Sequence, residues 1–357
     1  MTFLSAVILL GIIIFVHELG HFLFAKMMGV RVLKFSLGFG PKLIGKKYGD
    51  TEYVISAIPL GGYVKMLGEI PGEELSEDEK PFAYNYQKIW KRFAIVLFGP
   101  IFNILFAVTI FFFSFLNGLP ILVPEIGGVM PDTPAERAGL MKGDRIVEIN
   151  GVPMDQWDQM TDIIHKSPEK TLSIKIRRDN APLQVSIKPA KKTVKDIFGE
   201  GKPVGLIGIK PSGDTVIKKE NIPNAFADSI VRTGEISVLT LVSIVKLIQR
   251  VIPMDTIGGP ILIVQMAGEQ ASKGFLNFFI FMAIININLG VLNLLPIPIL
   301  DGGHLLFLGI EAIRRKPLSE RVIAVSQKIG LAILLTLMAF VIYNDFVRLI
   351  TGKQLPF

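Results

Sequence analysis

Two histidines and a glutamate within five residues are the first feature of this 357-residue chain that can do chemistry. His17-Glu18-Leu19-Gly20-His21 has the form His-Glu-x-x-His. Four residues make about one helical turn, so both imidazoles leave one face and can grip one Zn2+. Glu18 lies about 100° round the helix, where it can reach a zinc-bound water and serve as general base. A helix-packing polar cluster or a proton relay is the plainer reading of the same residues.

A catalytic zinc needs a third protein ligand and one open position. The chain has no cysteine, which excludes disulfide frameworks and thiolate sites and leaves His, Asp and Glu. Of the other histidines, His165 sits in a polar stretch and is a poor partner. The segment Leu-Pro-Ile-Pro-Ile-Leu-Asp-Gly-Gly-His, residues 295–304, offers both Asp301 and His304. Asp301 also reads as a cap for the helix that follows. Spacing leaves both open.

The elements that must hold these residues are apolar. Half of the residues are hydrophobic and the mean hydropathy is +0.50, which points to a protein that crosses a membrane several times. Residues 3–25, 93–115, 275–295 and 329–350 are long enough to span. The first begins without charge and ends Phe24-Ala25-Lys26, so it reads as a span rather than a cleaved leader. Short β-prone pieces with Gly and Pro breakers between residues 30 and 68 predict a small set of hairpins, and residues 73–79 an acidic loop. Residues 224–252 carry helical amphipathicity, expected of a helix on the membrane surface or packed on the spans.

The net charge of +7 does not mark a nucleic-acid footprint, because the basic residues cluster beside apolar spans. Lys and Arg crowd residues 26–92 and 314–328, whereas the first basic residue after the second span is Arg137. The first and third connections are therefore expected in the cytoplasm, and both termini and the polar insert outside. His17 and His21 then lie in the last third of the first span, and Asp301 just beyond the cytoplasmic end of the third. Both reach a similar depth. Pro296 and Pro298 break the helix there, and exposed backbone at that depth needs protein or water around it.

The chain resembles the site-2 protease family of intramembrane metalloproteases over nearly its whole length. The resemblance rests on four segments. They are His-Glu-Leu-Gly-His, Phe35-Ser36-Leu37-Gly38-Phe39-Gly40-Pro41, Gly99-Pro100-Ile101-Phe102-Asn103, and Asn293-Leu294-Leu295-Pro296-Ile297-Pro298-Ile299-Leu300-Asp301-Gly302. It implies Zn2+ held by His17, His21 and Asp301, with Glu18 activating water, and so favours Asp301 over His304. It further implies contact between substrate backbone and Asn288 and Asn293; Asn103, Pro296 and Pro298 complete the candidate substrate-binding set. The alternative for the asparagines is hydrogen bonding between helices. Residues 31–67 resemble the family's membrane-associated β-region, whose open edge can hold an extended substrate.

Within residues 120–190, Ile126-Gly127-Gly128-Val129 and Gly139-Leu140-x-x-Gly143-Asp144 resemble a PDZ domain of permuted type, with strands at 172–177 and 184–188. Well-known family members carry two such domains in tandem; this chain carries one such pattern. A size filter for substrates trimmed outside, a peptide binder and a spacer are the possible roles, and the filter is favoured.

The expected fold class is therefore an α-helical polytopic membrane protein of about four transmembrane helices, with a membrane-associated β-hairpin region and one inserted α+β PDZ-like domain. The expected regions are 1–115, with the His-Glu-x-x-His helix, hairpins and second span; 120–190, PDZ-like; 191–252, linker and amphipathic helix, with the Lys-, Gly- and Pro-rich residues 191–222 open to a linker or extra strands; and 253–357, the C-terminal membrane region. The expected activity is zinc-dependent cleavage of transmembrane segments in a bacterial inner membrane. By resemblance the substrates are membrane-bound anti-sigma factors or remnant signal peptides. The partners are such substrates and the lipid bilayer, with no nucleic acid; nothing in the sequence sets an oligomeric state. A non-catalytic scaffold recruiting peptides through its PDZ domain is the alternative. A transporter would want polar residues spread over several spans, and repeats.

Overall fold

The computed structural model describes residues 2–70 and 73–351; residue 1 and residues 352–357, the outer ends of the first and last expected regions, lie outside the described residues. In chain order the elements are α1 (Thr2–Met27), β1 (Val32–Tyr48), β2 (Thr51–Met66), α2 (Ile89–Asn117), β3 (Leu119–Leu122), β4 (Ile126–Val129), α3 (Pro134–Arg137), β5 (Arg145–Ile149), β6 (Val152–Pro153), α4 (Trp157–His165), β7 (Leu172–Arg178), β8 (Ala181–Ile187), β9 (Ala190–Lys195), β10 (Gly201–Leu206), β11 (Ile209–Pro211), β12 (Thr215–Lys218), α5 (Ile222–Ile248), α6 (Pro260–Ser272), α7 (Phe275–Asn293), α8 (Asp301–Arg314) and α9 (Glu320–Thr351). They divide into two units. One holds the described residues up to 113 together with 226–245 and 253–351; the other holds 114–225 and 246–252.

In the first unit, α1, α2, α7 and α9 are long and apolar enough to cross a membrane. α2 and α9 outrun their apolar windows because polar first turns continue the helix: Lys91 and Arg92 lie within α2, and Glu320 opens α9; α1 runs on through Lys26 to Met27. α6 has no counterpart in the sequence reading. Its 13 residues make a helix of about 20 Å, too short for a span. It packs along α1. α5 is amphipathic with an inverted sense: Ser229 and Thr233 are buried while Ile230, Val238 and Ile248 are exposed. Its hydroxyls turn back onto the helix's own carbonyls, as Ser229 does to Phe226 and Ser237 to Thr233. Apolar groups outward and hydroxyls inward suit a lipid environment.

Residues 31–67 form two long strands rather than several short hairpins. β1 and β2 pair antiparallel and are folded back, so that residues 34–37 pair with 62–65 on one side and with 52–55 on the other. The folds need positive φ, which Gly38 (92°) and Gly61 (130°) supply without a Cβ clash. Residues 62–65 pair only with 34–37, which leaves them at an edge of this sheet.

The second unit has a four-stranded sheet in the order β6-β5-β7-β8. β7 alternates inside and outside, so Leu172, Ile174 and Ile176 enter one core with Ile126, Ile146, Ile149 and Met160. Each buried Ile contributes roughly 1.5–3 kcal/mol. Residues 191–222, open in sequence to a linker or to extra strands, are largely strand. β11 pairs with β4 and β12 with β3, and Ile207 joins the core. Within this unit Asp144 is fully buried, and its carboxylate accepts two hydrogen bonds from Arg178, at 2.7 and 2.8 Å, and one from the Met141 N–H at 2.8 Å. Burial pushes the Asp144 carboxyl up, but the Arg178 guanidinium and the Met141 N–H outweigh it and hold the group below its ordinary value.

Candidate metal centre

The first unit holds a partly open cavity of about 1180 Å³. α1 lends it His17, Glu18 and His21; the edge strand of β2 lends Tyr63 and Val64; α2 lends Arg92 and Val96. From α8 come Asp301, His304, Leu308 and Glu311, a helical stripe of spacing three, four and three.

His17 and His21 do share one face of α1. Their Nε2 atoms are 3.3 Å apart, and the Asp301 carboxylate meets both, Oδ2 at 3.2 Å from His17 Nε2 and Oδ1 at 3.5 Å from His21 Nε2. Among the described residues, His17, His21 and Asp301 form the one group of three acidic or imidazole side chains whose ligand atoms all lie within 4.8 Å of one another. Asp301 does not cap α8: the N-cap is Leu300, and no side chain caps that end. His304 faces the cavity but stands outside the group of three.

Backbone sets these side chains. His21 Nδ1 is 2.9 Å from the Ile95 carbonyl, which can only accept, so Nδ1 carries the hydrogen, and in the neutral ring the Nε2 lone pair is then free. α1 and α2 come this close because of glycine. A Cβ on Gly20 would strike the backbone of Phe98, and one on Gly99 would strike the His21 ring. A similar device places Asp301: Gly302 and Gly303 fit against the backbone of Leu294, Leu295 and Ile297, and Gly330 of α9 receives Pro298. Pro298 thus packs between Gly303 and Gly330 in the turn that leads into Asp301.

The asparagines separate. Asn103 of α2 is fully buried, and its Nδ2 is 3.4 Å from His17 Nδ1. Asn293, at the end of α7, has its Nδ2 3.4 Å from His17 Nε2. Asn288 is elsewhere engaged: its Oδ1 accepts the Thr240 hydroxyl of α5 at 2.7 Å. The sequence reading overlooked the ion pair of Arg92 with Glu311 on the cavity wall. Its one local signal was the spacing of Asp301, His304, Leu308 and Glu311 along a single helical face.

Two imidazoles and a carboxylate that are only 12–18% exposed are costly at membrane depth without a cation among them. Asp301 Oδ2, though 3.2 Å from His17, makes no well-directed hydrogen bond. Two neutral nitrogens and one carboxylate oxygen are the donor set of a catalytic divalent metal such as zinc, so the residues fit one.

The sequence profile of peptidase family M50, the site-2 protease family, matches residues 5–337, and the chain belongs to this family. A provisionally named zinc metalloprotease of Campylobacter jejuni is 37% identical over 352 residues, covering 98% of this chain and 94% of that protein. Regulator of sigma-E protease RseP of Escherichia coli is 31% identical over 448 aligned positions, covering 97% of this chain and 98% of that protein. Because 448 positions exceed the 357 of this chain, that relative carries additional sequence on the order of one small domain. A quarter of the chain, 25%, also aligns with the PDZ domain of an SdrC-like protein from Listeria innocua at 30% identity, covering 92% of that domain with a TM-score of 0.21.

Proposed function

We propose that this chain is an intramembrane zinc metalloprotease that hydrolyses a peptide bond within or near a transmembrane helix of another membrane protein. The observation that carries the reading is the convergence of His17 Nε2, His21 Nε2 and the Asp301 carboxylate on one point beside Glu18. Those three groups hold the metal. When bound, zinc polarises the scissile carbonyl and makes water nucleophilic at neutral pH.

Glu18 stands on the cavity wall one position from His17. Its carboxylate takes the proton of the attacking water and passes it to the leaving amide nitrogen, which departs as an amine. The substrate must first unwind, and its freed N–H and C=O groups need partners where bulk water is scarce. The unpaired edge of residues 62–65 runs beside Glu18 and suits an extended segment added as a strand. Asn293, next to His17, holds the substrate backbone at the reacting end. The basic residues at 26–92 and 314–328 favour a cytoplasmic exit and a bacterial inner-membrane location, with the second unit outside. That unit, PDZ-like in its sequence pattern, filters substrates by size. Membrane-bound anti-sigma factors and remnant signal peptides are the substrate classes that fit.

The test uses the full chain in detergent with a model transmembrane substrate. Glu18→Gln is expected to keep about one zinc per chain and to lose cleavage, and chelation of the wild type to abolish cleavage until zinc returns. Cleavage at the wild-type rate by Glu18→Gln, or by the metal-free chain, would overturn the assignment.

A further inference from the structure

The two histidines are held differently at the ring nitrogen that faces away from Asp301. His21 gives Nδ1–H to a backbone carbonyl. His17 also turns Nε2 toward Asp301 and His21, so a metal there takes Nε2, and neutral imidazole then carries its hydrogen on Nδ1. That hydrogen needs an acceptor. The side chain at His17 Nδ1 is Asn103, 3.4 Å away through Nδ2, and an amide nitrogen opposite an N–H sets two donors face to face. The two ends of a carboxamide have nearly the same shape, so chemistry decides which end faces the ring. In either orientation one end lacks a side-chain partner: Asn103 Oδ1 has no hydrogen-bond partner among the described residues. The number of hydrogen bonds therefore does not choose between orientations, and the tautomer does.

We propose that Asn103 is a positioning residue for His17, its carboxamide oxygen accepting the Nδ1–H and thereby presenting Nε2 to the metal. The proposal rests on the metal-site reading above. The surroundings hold the amide in place. Asn103 is fully buried where α2 meets α7, and a Cβ on Gly290 of α7 would already lie 3.4 Å from the Asn103 Cβ and 3.1 Å from the Pro100 carbonyl. An acceptor locked behind a ligating imidazole fixes ring orientation and tautomer, and losing one costs about 10- to 100-fold in metal affinity.

The test is zinc binding and histidine tautomer state in the full chain, labelled with 15N-histidine, in detergent micelles with zinc as the sole added ligand. Four histidines keep the spectrum assignable. In the wild type, His17 is expected to show a protonated Nδ1 and a metal-shifted Nε2. Asn103→Leu, similar in size but without an acceptor, is expected to mix tautomers at His17 and to raise the zinc Kd about 10- to 100-fold. Asn103→Ala serves in its place if the Leu variant does not fold, with the same expectation. Asn103→Asp keeps an acceptor and is expected to hold the wild-type tautomer and bind zinc at least as tightly. A mere packing role predicts the reverse order, because Leu fills the site while Asp adds a buried charge. That reverse order, or Leu and Ala variants with wild-type affinity and tautomer, overturns the proposal. A wild type that binds no zinc overturns the metal-site reading itself, which separates the two failures.

Discussion

Arg92 of α2 and Glu311 of α8 form an ion pair on the cavity wall, with side chains only 11% and 16% exposed. α2 supplies the carbonyl that orients His21, and α8 begins with Asp301. The pair therefore ties together the two helices whose spacing sets the metal centre. Removing one partner strands a charge, at a cost of about 3 kcal/mol, whereas replacing both by apolar groups relieves it. Glu311→Ala is expected to lower the melting temperature in detergent, and the double variant Arg92→Met/Glu311→Met to recover most of the loss. Equal melting of the single variant, the double variant and the wild type would show that the pair contributes nothing.

Gly99 lies where α2 meets the His21 imidazole, and a Cβ there would overlap the ring. The ring cannot swing aside without giving up its bond to the Ile95 carbonyl. Gly99→Ala should therefore raise the zinc Kd by at least about 10-fold, the scale of a misoriented ligand. Gly11→Ala is the control: it lies in α1, nothing stands within 4 Å of its Cβ position, and alanine favours the helix. A wild-type zinc Kd in Gly99→Ala would mean that the His21 ring is not confined as described.

The pair of histidines was readable because its information is local: four residues, one helical turn, one face. The four spans were readable for the same reason, since hydropathy accumulates within a single window. What the sequence left undecided was long-range. β11 and β12 lie in a Lys-, Gly- and Pro-rich stretch whose partners, β4 and β3, come about 80–100 residues earlier, and only that pairing makes strands of them. The amide of Asn288 looks from sequence much like that of Asn293, yet Thr240 of α5 claims the first and His17 faces the second. Asp301 and His304 lie one turn apart on α8, and their different surroundings come from the turn at residues 294–300.

Asp144 and Arg178 make the second unit sensitive to acid. The folded carboxyl titrates below its unfolded value, so the stability it contributes is fully present above the unfolded pKa of about 3.9 and is lost as pH falls through the folded value. Asp144→Asn cannot titrate. The difference in protease resistance between wild type and Asp144→Asn, followed in the full chain with an acid-active protease, should be constant near neutral pH and shrink below about pH 4. A difference that stays constant down to pH 2 would assign the stabilisation to shape rather than charge.

Asp345, deep in α9, caps a helix that is not its own. Its carboxylate accepts the backbone N–H groups of Gly259, Ile261 and Leu262, at 2.9, 3.0 and 3.2 Å, at the start of α6. These are the donors that a helix leaves unsatisfied, and negative charge there also meets the positive end of the dipole. No side chain of α6 or its N-cap residue does this, and a Cβ on Gly259 would strike the Asp345 carboxylate. α6 in turn packs on α1, which carries His17 and His21. Loss of a cap typically costs about 1–2 kcal/mol. Asp345→Leu should therefore raise amide hydrogen exchange at residues 259–263 by about 5- to 30-fold, as that energy implies. Asp345→Asn keeps an acceptor oxygen and should fall between the Leu variant and the wild type. Exchange in Asp345→Leu that matches the wild type would mean that α6 is held by its packing on α1 and not by this carboxylate.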